Sequence, residues 1–539
     1  MLDGKKMVEL PAKGVQVYAK GKYRYAYKVT RAYRNAKGRP TCDRRSIGRV
    51  DDESGMLIPN LAYYEFYGEP AGGSGPGGES RVLDAGVSCT VDKVLGGLGI
   101  KRMLDDAFGA RRASLLLTVV AYMLCEGNTM SYLDDFCERS LVDAALDDRR
   151  SSELFSSLTH QERSRFFSRW VCARAEHDYI AYDVTSFSSY SKGMEDAEWG
   201  YNRDGERLPQ INLAMYMGVE SRLPVFYRTY AGSIVDKSHL VSMMEGNSDL
   251  GVEGVTFVMD RGFASTANLR FMHERSYPYI LGIESFRKAV RGAIDDLREE
   301  LSSSRSWLGG LGCHGAFKKG MFFGVYAKLC VYYDAERAAQ AERDLERRLE
   351  ADEDRLSRMS EITQAQSKRY AKRGFRIRRS EDGAFSFERD YDVIDKAAEN
   401  LGYFCILTSD LDADPASVLR TYRRRDLVEK AFDEVKNHLD MHRLRTHGKA
   451  TTDGKMFCAF IALIVRMFIE NALSDWMDEN HASTERVIRE LAKIRAIKGA
   501  HGMRLLDPLT KKQREIVEGM GFTEDDVRSF IEREGRGPV

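Results

Sequence analysis

Between residues 14 and 67 the chain alternates in strand fashion. VQVYAKGKYRYAYKVTRAYR and RRSIGRV place Tyr, Val and Ile at every second position, with a turn expected at Asn35–Gly38. This predicts a small β-rich unit over residues 1–68. EPAGGSGPGGES (69–80) has the composition of a flexible linker. Residues 81–177 switch to apolar spacings of three and four and predict a helical domain, read as DNA-binding. From Tyr179 short apolar runs return. YIAYDVTSF, QINLAMYMGV, PVFYRTYAG, GVTFVMDRGF and YPYILGIES read as five strands, with helices at DKSHLVSMME and STANLRFMHER. Three hairpin-linked strands followed by alternating helix and strand imply a mixed sheet with helices on its faces. The alternation stops over residues 286–400, which read as an insertion. It resumes at YFCILTSD (403–410), followed by a long helix from Pro415 to about Leu439 and an apolar helix over 456–474. Residues 476–539 read as a helical C-terminal region.

Composition narrows the class. The 539 residues carry 82 Lys+Arg against 82 Asp+Glu, and 43% are hydrophobic, which excludes global disorder. The nine cysteines include no C-x-x-C pair, which argues against a zinc ribbon or a disulfide scaffold and for reduced thiols in a cytoplasm. Cys125, Cys172 and Cys458 are expected in the core. No signal peptide is apparent at residues 1–10, and the apolar runs 113–125 and 456–465 are too short or too interrupted to span a bilayer. The zero net charge hides asymmetry. Residues 1–50 hold fourteen Lys/Arg and three acids, residues 51–100 hold two and eight, and KRYAKRGFRIRR (368–379) holds seven basics and no acid. Basic blocks interleaved with aromatics suit a phosphate backbone. The Gly-rich segment 69–80 lacks the Gly-Lys-Ser/Thr of a nucleotide P-loop.

Three acids stand out. Asp183 and Asp260 each close an apolar strand, in Y-D-V-T-S and V-M-D-R-G-F. If those strands are neighbours, their carboxylates converge and offer the oxygen ligands that hard divalent cations prefer. On the helix from Pro415, Tyr422, Arg425, Glu429 and Lys436 fall at about 0°, 300°, 340° and 320° around the axis, one narrow stripe. An acid, two bases and a phenol on one stripe suit a polyanion that also needs a metal-binding carboxylate. Glu434 lies about 140° from Glu429 and is expected at the surface. His438, His442 and His447 are read as surface or DNA-facing, and Glu284 as a possible accessory carboxylate.

The spacing Y-x2-R-x3-E-x6-K, with Asp183 and the D-R-G at Asp260, resembles the signature of bacterial insertion-sequence transposases of the DDE type, in the group with an insertion before the catalytic Glu. The resemblance covers roughly residues 179–475. It implies a ribonuclease H-like α/β catalytic domain from 178–285 and 401–475, interrupted by an inserted α+β subdomain. It implies that Asp183, Asp260 and Glu429 are catalytic and bind two Mg²⁺ ions, with Mn²⁺ as a substitute. One ion would activate the attacking water or 3′-hydroxyl and the other would stabilise the leaving oxygen. Tyr422, Arg425 and Lys436 would hold DNA phosphates, and Arg261 would support the site. Partners would be double-stranded DNA, both terminal inverted repeats and target, bound by a homodimer at paired ends. The protein would be cytoplasmic and nucleoid-associated, with no membrane. Two other functions fit the same residues: a ribonuclease H-like nuclease without strand transfer, and a non-catalytic DNA-binding protein derived from a transposase.

Overall fold

A computed structural model describes residues 7–20, 23–34, 39–52, 54–59, 61–67, 81–142, 144–175, 179–190, 196–203, 205–245, 254–380, 384–498 and 504–534. The expected turn at 35–38 and linker at 69–80 lie outside them. The chain forms two compact units. One comprises Met1–Arg169, Phe187–Ala197 and Asp433–Val539, and the other Trp170–Ser186 and Glu198–Phe432.

The first unit opens with an antiparallel sheet of β1 (Val15–Lys20), β2 (Tyr23–Arg34), β3 (Pro40–Val50) and β4 (Leu57–Pro59) in sequence order. Ala26, Ile47, Val50 and Leu57 form its small core with Val8. The period-two pattern therefore buries one face and leaves the other to tyrosines and arginines. A further strand, β5 (Arg81–Asp84), precedes the expected helices, which run from Gly86 to Ala175.

The second unit is built on a nine-stranded sheet. Its strands are β6 (Ile180–Ser188), β7 (Gln210–Gly218), β8 (Pro224–Ala231), β9 (Phe257–Met259), β10 (Tyr279–Ile283), β11 (Trp307–Leu308), β12 (Cys313–Phe322) and β13 (Val325–Tyr333). A two-stranded hairpin of β14 (Phe375–Arg379) and β15 (Phe385–Arg389) stands apart, and β16 (Tyr403–Thr408) completes the sheet. The order is β11-β12-β13-β16-β10-β9-β6-β7-β8. β6, β9 and β10 are parallel, and β7 and β8 are antiparallel to each other. The five strands β6 to β10 thus follow the 3-2-1-4-5 order of a ribonuclease H-like sheet, the mixed α/β fold expected from the sequence.

The boundary of the insertion differs from its sequence reading. The hairpin β12–β13 joins the central sheet, with β13 pairing along all of β16. Its apolar alternation, Val325, Ala327, Leu329 and Val331, is sheet core, all nearly fully buried. What stands outside the sheet is the helix Ala335–Ser357, the helix Gln364–Ala371, the hairpin β14–β15 and the helix Tyr391–Ala398, which share a core of Leu349, Leu356, Ile362, Tyr370, Phe375 and Ile394.

Back in the first unit, β17 (Arg495–Lys498) and β18 (Arg504–Leu506) form a three-stranded sheet with β5, so the C-terminal region is not purely helical. The helix Lys449–Ala472 is buried along most of its length. Within it Arg466 is 0% exposed and pairs with Glu434 and, at 3.4 Å, with Glu485. Glu434 is therefore an internal counter-ion and not a surface residue. The wheel set it apart from Glu429, but the side of the helix it occupies faces buried Arg466 and not solvent. Cys458 is buried as expected, whereas Cys125 is half-buried and Cys172 is exposed, against the core position expected for them. No single helix among the described residues is long and apolar enough to cross a membrane.

Candidate active site

Three parallel strands set the site. Tyr182 pairs with Met259 across β6 and β9, and Met259 pairs with Leu281 across β9 and β10. The next rung holds Asp183, Asp260 and Gly282. Residues in one rung of a parallel ladder face the same side. The two aspartates are therefore neighbours on one face. Asp260 directly follows the end of β9, while Asp183 lies within β6, which does not close at the aspartate as expected but continues to Ser188. Tyr182, Met259 and Leu281 are each 0% exposed, so the rung beneath the acids is locked by packing.

Asp183 has 19% of its side chain exposed. One carboxylate oxygen accepts the Val184 amide at 2.8 Å. Burial raises its pKa to about 6. The Val184 amide and the charges of Arg425 and Arg203 oppose the rise, and Asp260 adds to it. Arg203 itself is tied to Asp236, whose other oxygen accepts the Tyr230 hydroxyl at 2.6 Å. The Tyr422 hydroxyl donates to Asp260 Oδ1 at 3.2 Å. Burial and the Asp260 charge push the Tyr422 pKa up to about 12, so the phenol keeps its proton as a donor.

The helical side of the site is not one continuous helix. It runs Pro415–Arg423 and Asp426–Asp433, then turns π-helical. The Arg425, Leu427 and Val428 amides each bond the carbonyl three residues back, a tightened turn that breaks the wheel. Tyr422, Arg425 and Glu429 still meet. Arg425 Nη2 lies 2.9 Å from Glu429 Oε1, and Nη1 lies 3.6 Å from Asp183 Oδ2. The guanidinium thus bridges the sheet acid and the helix acid. Burial pulls the Arg425 pKa down, but the fields of Tyr422, Asp260, Glu429 and Asp183 more than offset it. Its Nε is buried without a partner. Glu429 is the open member of the trio, 58% exposed.

The structure therefore brings Asp183, Asp260, Tyr422, Arg425 and Glu429 together. Arg261 follows Asp260 in a short 3₁₀ turn, exposed, with its charge reaching Tyr422. Lys436 belongs to the other unit, where it is 7% exposed and its ammonium lies 5.9 Å over the Phe187 ring. Glu284 pairs with Arg287 at 3.0 Å. His442 bonds Asn437 at 2.7 Å. Among the described residues no three His, Cys, Asp or Glu side chains are gathered closely enough to hold an ion as they stand. The donor set nonetheless fits a hard divalent cation. It is all carboxylate oxygen, and Asp183 carries a buried negative charge that its present partners compensate only in part. The sequence pattern did not single out Gly282 or the Arg203–Asp236–Tyr230 group. An interior strand glycine was the available signal for the first.

The two basic clusters differ. On the open face of the N-terminal sheet Arg44 lies 4.2 Å over Tyr18 and 5.3 Å over Tyr27, and Arg49 lies 4.7 Å over Tyr23. In the insertion, Arg373 pairs with buried Asp352 at 2.6 Å, Arg376 with Asp390 at 3.1 Å and Arg378 with Glu388 at 3.0 Å. Much of that second cluster is neutralised inside its own fold.

Residues 174–465, just over half of the chain, match the family described as Transposase DDE domain. Among solved structures, the chain is similar to one described as a cryo-EM structure of piggyBac transposase synaptic complex with hairpin DNA. The identity is 12%, covering 84% of this chain and 83% of that one, with a TM-score of 0.36. A comparison with curated proteins finds no significant match.

Proposed function

The chain belongs to the transposase DDE domain family, and from that premise we propose that it is the transposase of a bacterial insertion sequence. It cleaves the element's terminal inverted repeats and transfers the freed 3′-OH ends to target DNA. The observation that carries this reading is the shared rung of Asp183 and Asp260, faced by Tyr422, Arg425 and Glu429.

Transposases of the DDE class use divalent metal ions. Bound by Asp183, Asp260 and Glu429, two Mg²⁺ ions (or Mn²⁺) supply the Lewis-acid stabilisation of an in-line phosphoryl displacement. The protein's own residues do the rest. Tyr422 orients the Asp260 carboxylate by donating its hydroxyl proton. Arg425 holds Glu429 beside Asp183, with its guanidinium facing both carboxylates. Arg261 and Lys436 contact phosphates further along the backbone, fixing register and not reading sequence. Double-stranded DNA enters as both end and target, and the protein acts as a homodimer on paired ends, in the cytoplasm at the nucleoid.

The test uses the full-length chain with a supercoiled plasmid carrying the two DNA segments that flank its gene, in Mg²⁺. End cleavage followed by joined products is expected. Asp183→Asn, Asp260→Asn and Glu429→Gln should each abolish cleavage while leaving plasmid binding in place. Cleaved ends supplied with target DNA but never joined would identify a nuclease instead. Binding with no cleavage by the wild type would identify a derived DNA-binding protein.

A further inference from the structure

Gly282 sits in the interior of the sheet, with β9 on one side and a direct pairing to Ile406 of β16 on the other. Its strand neighbours Leu281 and Ile283 are buried aliphatics. A glycine there weakens a strand and packs nothing. Its φ lies outside the left-handed region, so backbone conformation does not require it. Space does. A Cβ at this position would overlap the Tyr422 hydroxyl and stand 3.1 Å from Tyr422 Cζ and 3.0 Å from the Arg261 amide nitrogen. Gly282 shares the rung of Asp260, so the missing side chain would project onto the face that carries the Asp260 carboxylate.

We infer that Gly282 is a positioning residue: its bare Cα keeps open the slot through which the Tyr422 phenol reaches Asp260. Any side chain at 282 drives the ring away from the carboxylate and presses on the turn that starts at Arg261. The hydroxyl then loses its 3.2 Å contact, and Asp260 loses the donor that fixes its orientation. The role of Asp260 in cleavage rests on the proposed function. The steric coupling of 282 to 422 does not.

The experiment is a double-mutant cycle on the full-length chain, with Gly282→Ala, Tyr422→Phe and the pair, read in two ways. Urea unfolding asks nothing of catalysis. Nicking of the supercoiled plasmid described above, at saturating plasmid, reads the chemical step. Each single variant is expected to slow nicking about tenfold, the usual cost of losing a group that orients a ligand. The pair should be no slower than the slower single, and Gly282→Ala should lower the urea midpoint less in the Tyr422→Phe background than in the wild type. Effects that multiply in both readouts overturn the inference. If Gly282→Ala alone does not fold, the pair must fold and nick at the Tyr422→Phe rate, and failure of both to fold overturns it. If the wild type nicks nothing, the proposed function fails, while the urea cycle still decides whether residue 282 acts through Tyr422.

Discussion

The candidate site has a sheet-borne half and a helix-borne half, and they are held in different ways. Asp183 and Asp260 are fixed by main-chain register one step beyond fully buried rungs. No side-chain contact is needed to bring them together. Glu429 is 58% exposed, on a segment broken at both ends, and is kept near Asp183 by a single guanidinium. A ladder places side chains to within a fraction of an ångström, whereas an exposed ion pair contributes little and is easily exchanged. The difference assigns tasks. On the proposed function, the sheet would supply a preformed pair of ligands, and the helix a third that Arg425 retains until a cation competes for it.

The largest expected effect follows directly. With Mn²⁺ alone, followed by its magnetic resonance signal, Asp183→Asn or Asp260→Asn should abolish binding in the millimolar range, and Glu429→Gln should weaken it about tenfold to a hundredfold. Equal losses from all three would erase the distinction between the halves. Cleavage should be lost in every case.

Next in size is the pH response of the sheet half. The pKa of Asp183 is raised to about 6 from an ordinary 3.8, chiefly by burial. An acid with a raised folded-state pKa binds more protons folded than unfolded. Stability from this group is thus fully present below pH 4 and is lost as pH climbs to about 6. The difference of roughly two pKa units corresponds to about 3 kcal/mol. Measured against Asp183→Asn, the metal-free protein should lose that much stability between about pH 4 and 6. Cation binding needs the ionised form, so Mn²⁺ affinity and cleavage should rise over the same window. A flat profile would mean that Asp183 is solvated and that the sheet half is less preformed than its burial implies.

These two halves were not equally legible in the sequence. The aspartates drew notice because each follows an apolar run; the strand-end position holds for Asp260, whereas β6 carries on past Asp183 to Ser188. Their adjacency needed the order of the sheet, which hairpin-linked strands and alternating helices go far to specify. The helix was harder. A wheel at constant pitch grouped Tyr422, Arg425 and Glu429, which do meet, because they lie within two turns. It failed for Glu434, because a wheel gives direction and not what lies there: that side of the helix meets buried Arg466. Pitch errors accumulate with distance, and local sequence does not reveal a three-residue hydrogen bond or a π turn. The insertion boundary failed for another reason. The β12–β13 hairpin finds its partner in β16, about seventy residues later. Charge counts erred in the same way, since the partners of Arg373, Arg376 and Arg378 lie on other segments of the insertion.

Arg425 tests the link between the halves. Arg425→Gln removes the bridge between Glu429 and Asp183, so cleavage should fall about tenfold to a hundredfold. The midpoint of the pH profile should move upward by about one unit, because a nearby cation no longer favours the Asp183 carboxylate. Arg425→Lys should restore part of the pH midpoint but less of the rate, since an ammonium cannot reach two carboxylates as a planar fork does. A rate loss without any pH shift would place Arg425 on DNA alone and leave Glu429 to be positioned by its helix.

The smallest effect is expected at Lys436. It lies fourteen residues beyond Tyr422, across both interruptions of the helix, so the stripe that joined it to Glu429 on a regular wheel has no force there. It is 7% exposed, its ammonium lies 5.9 Å over the Phe187 ring, and it belongs to the other unit from the three acids. Lys436→Ala should weaken plasmid binding about threefold and reduce the salt slope by about one. Cleavage at saturating DNA and the pH midpoint should not move. Loss of the chemical step on the scale of Arg425→Gln would extend the helix-borne half to Lys436 and show that DNA or metal regularises the helix, which would make the breaks at Arg424 and Glu434 hinges of the site.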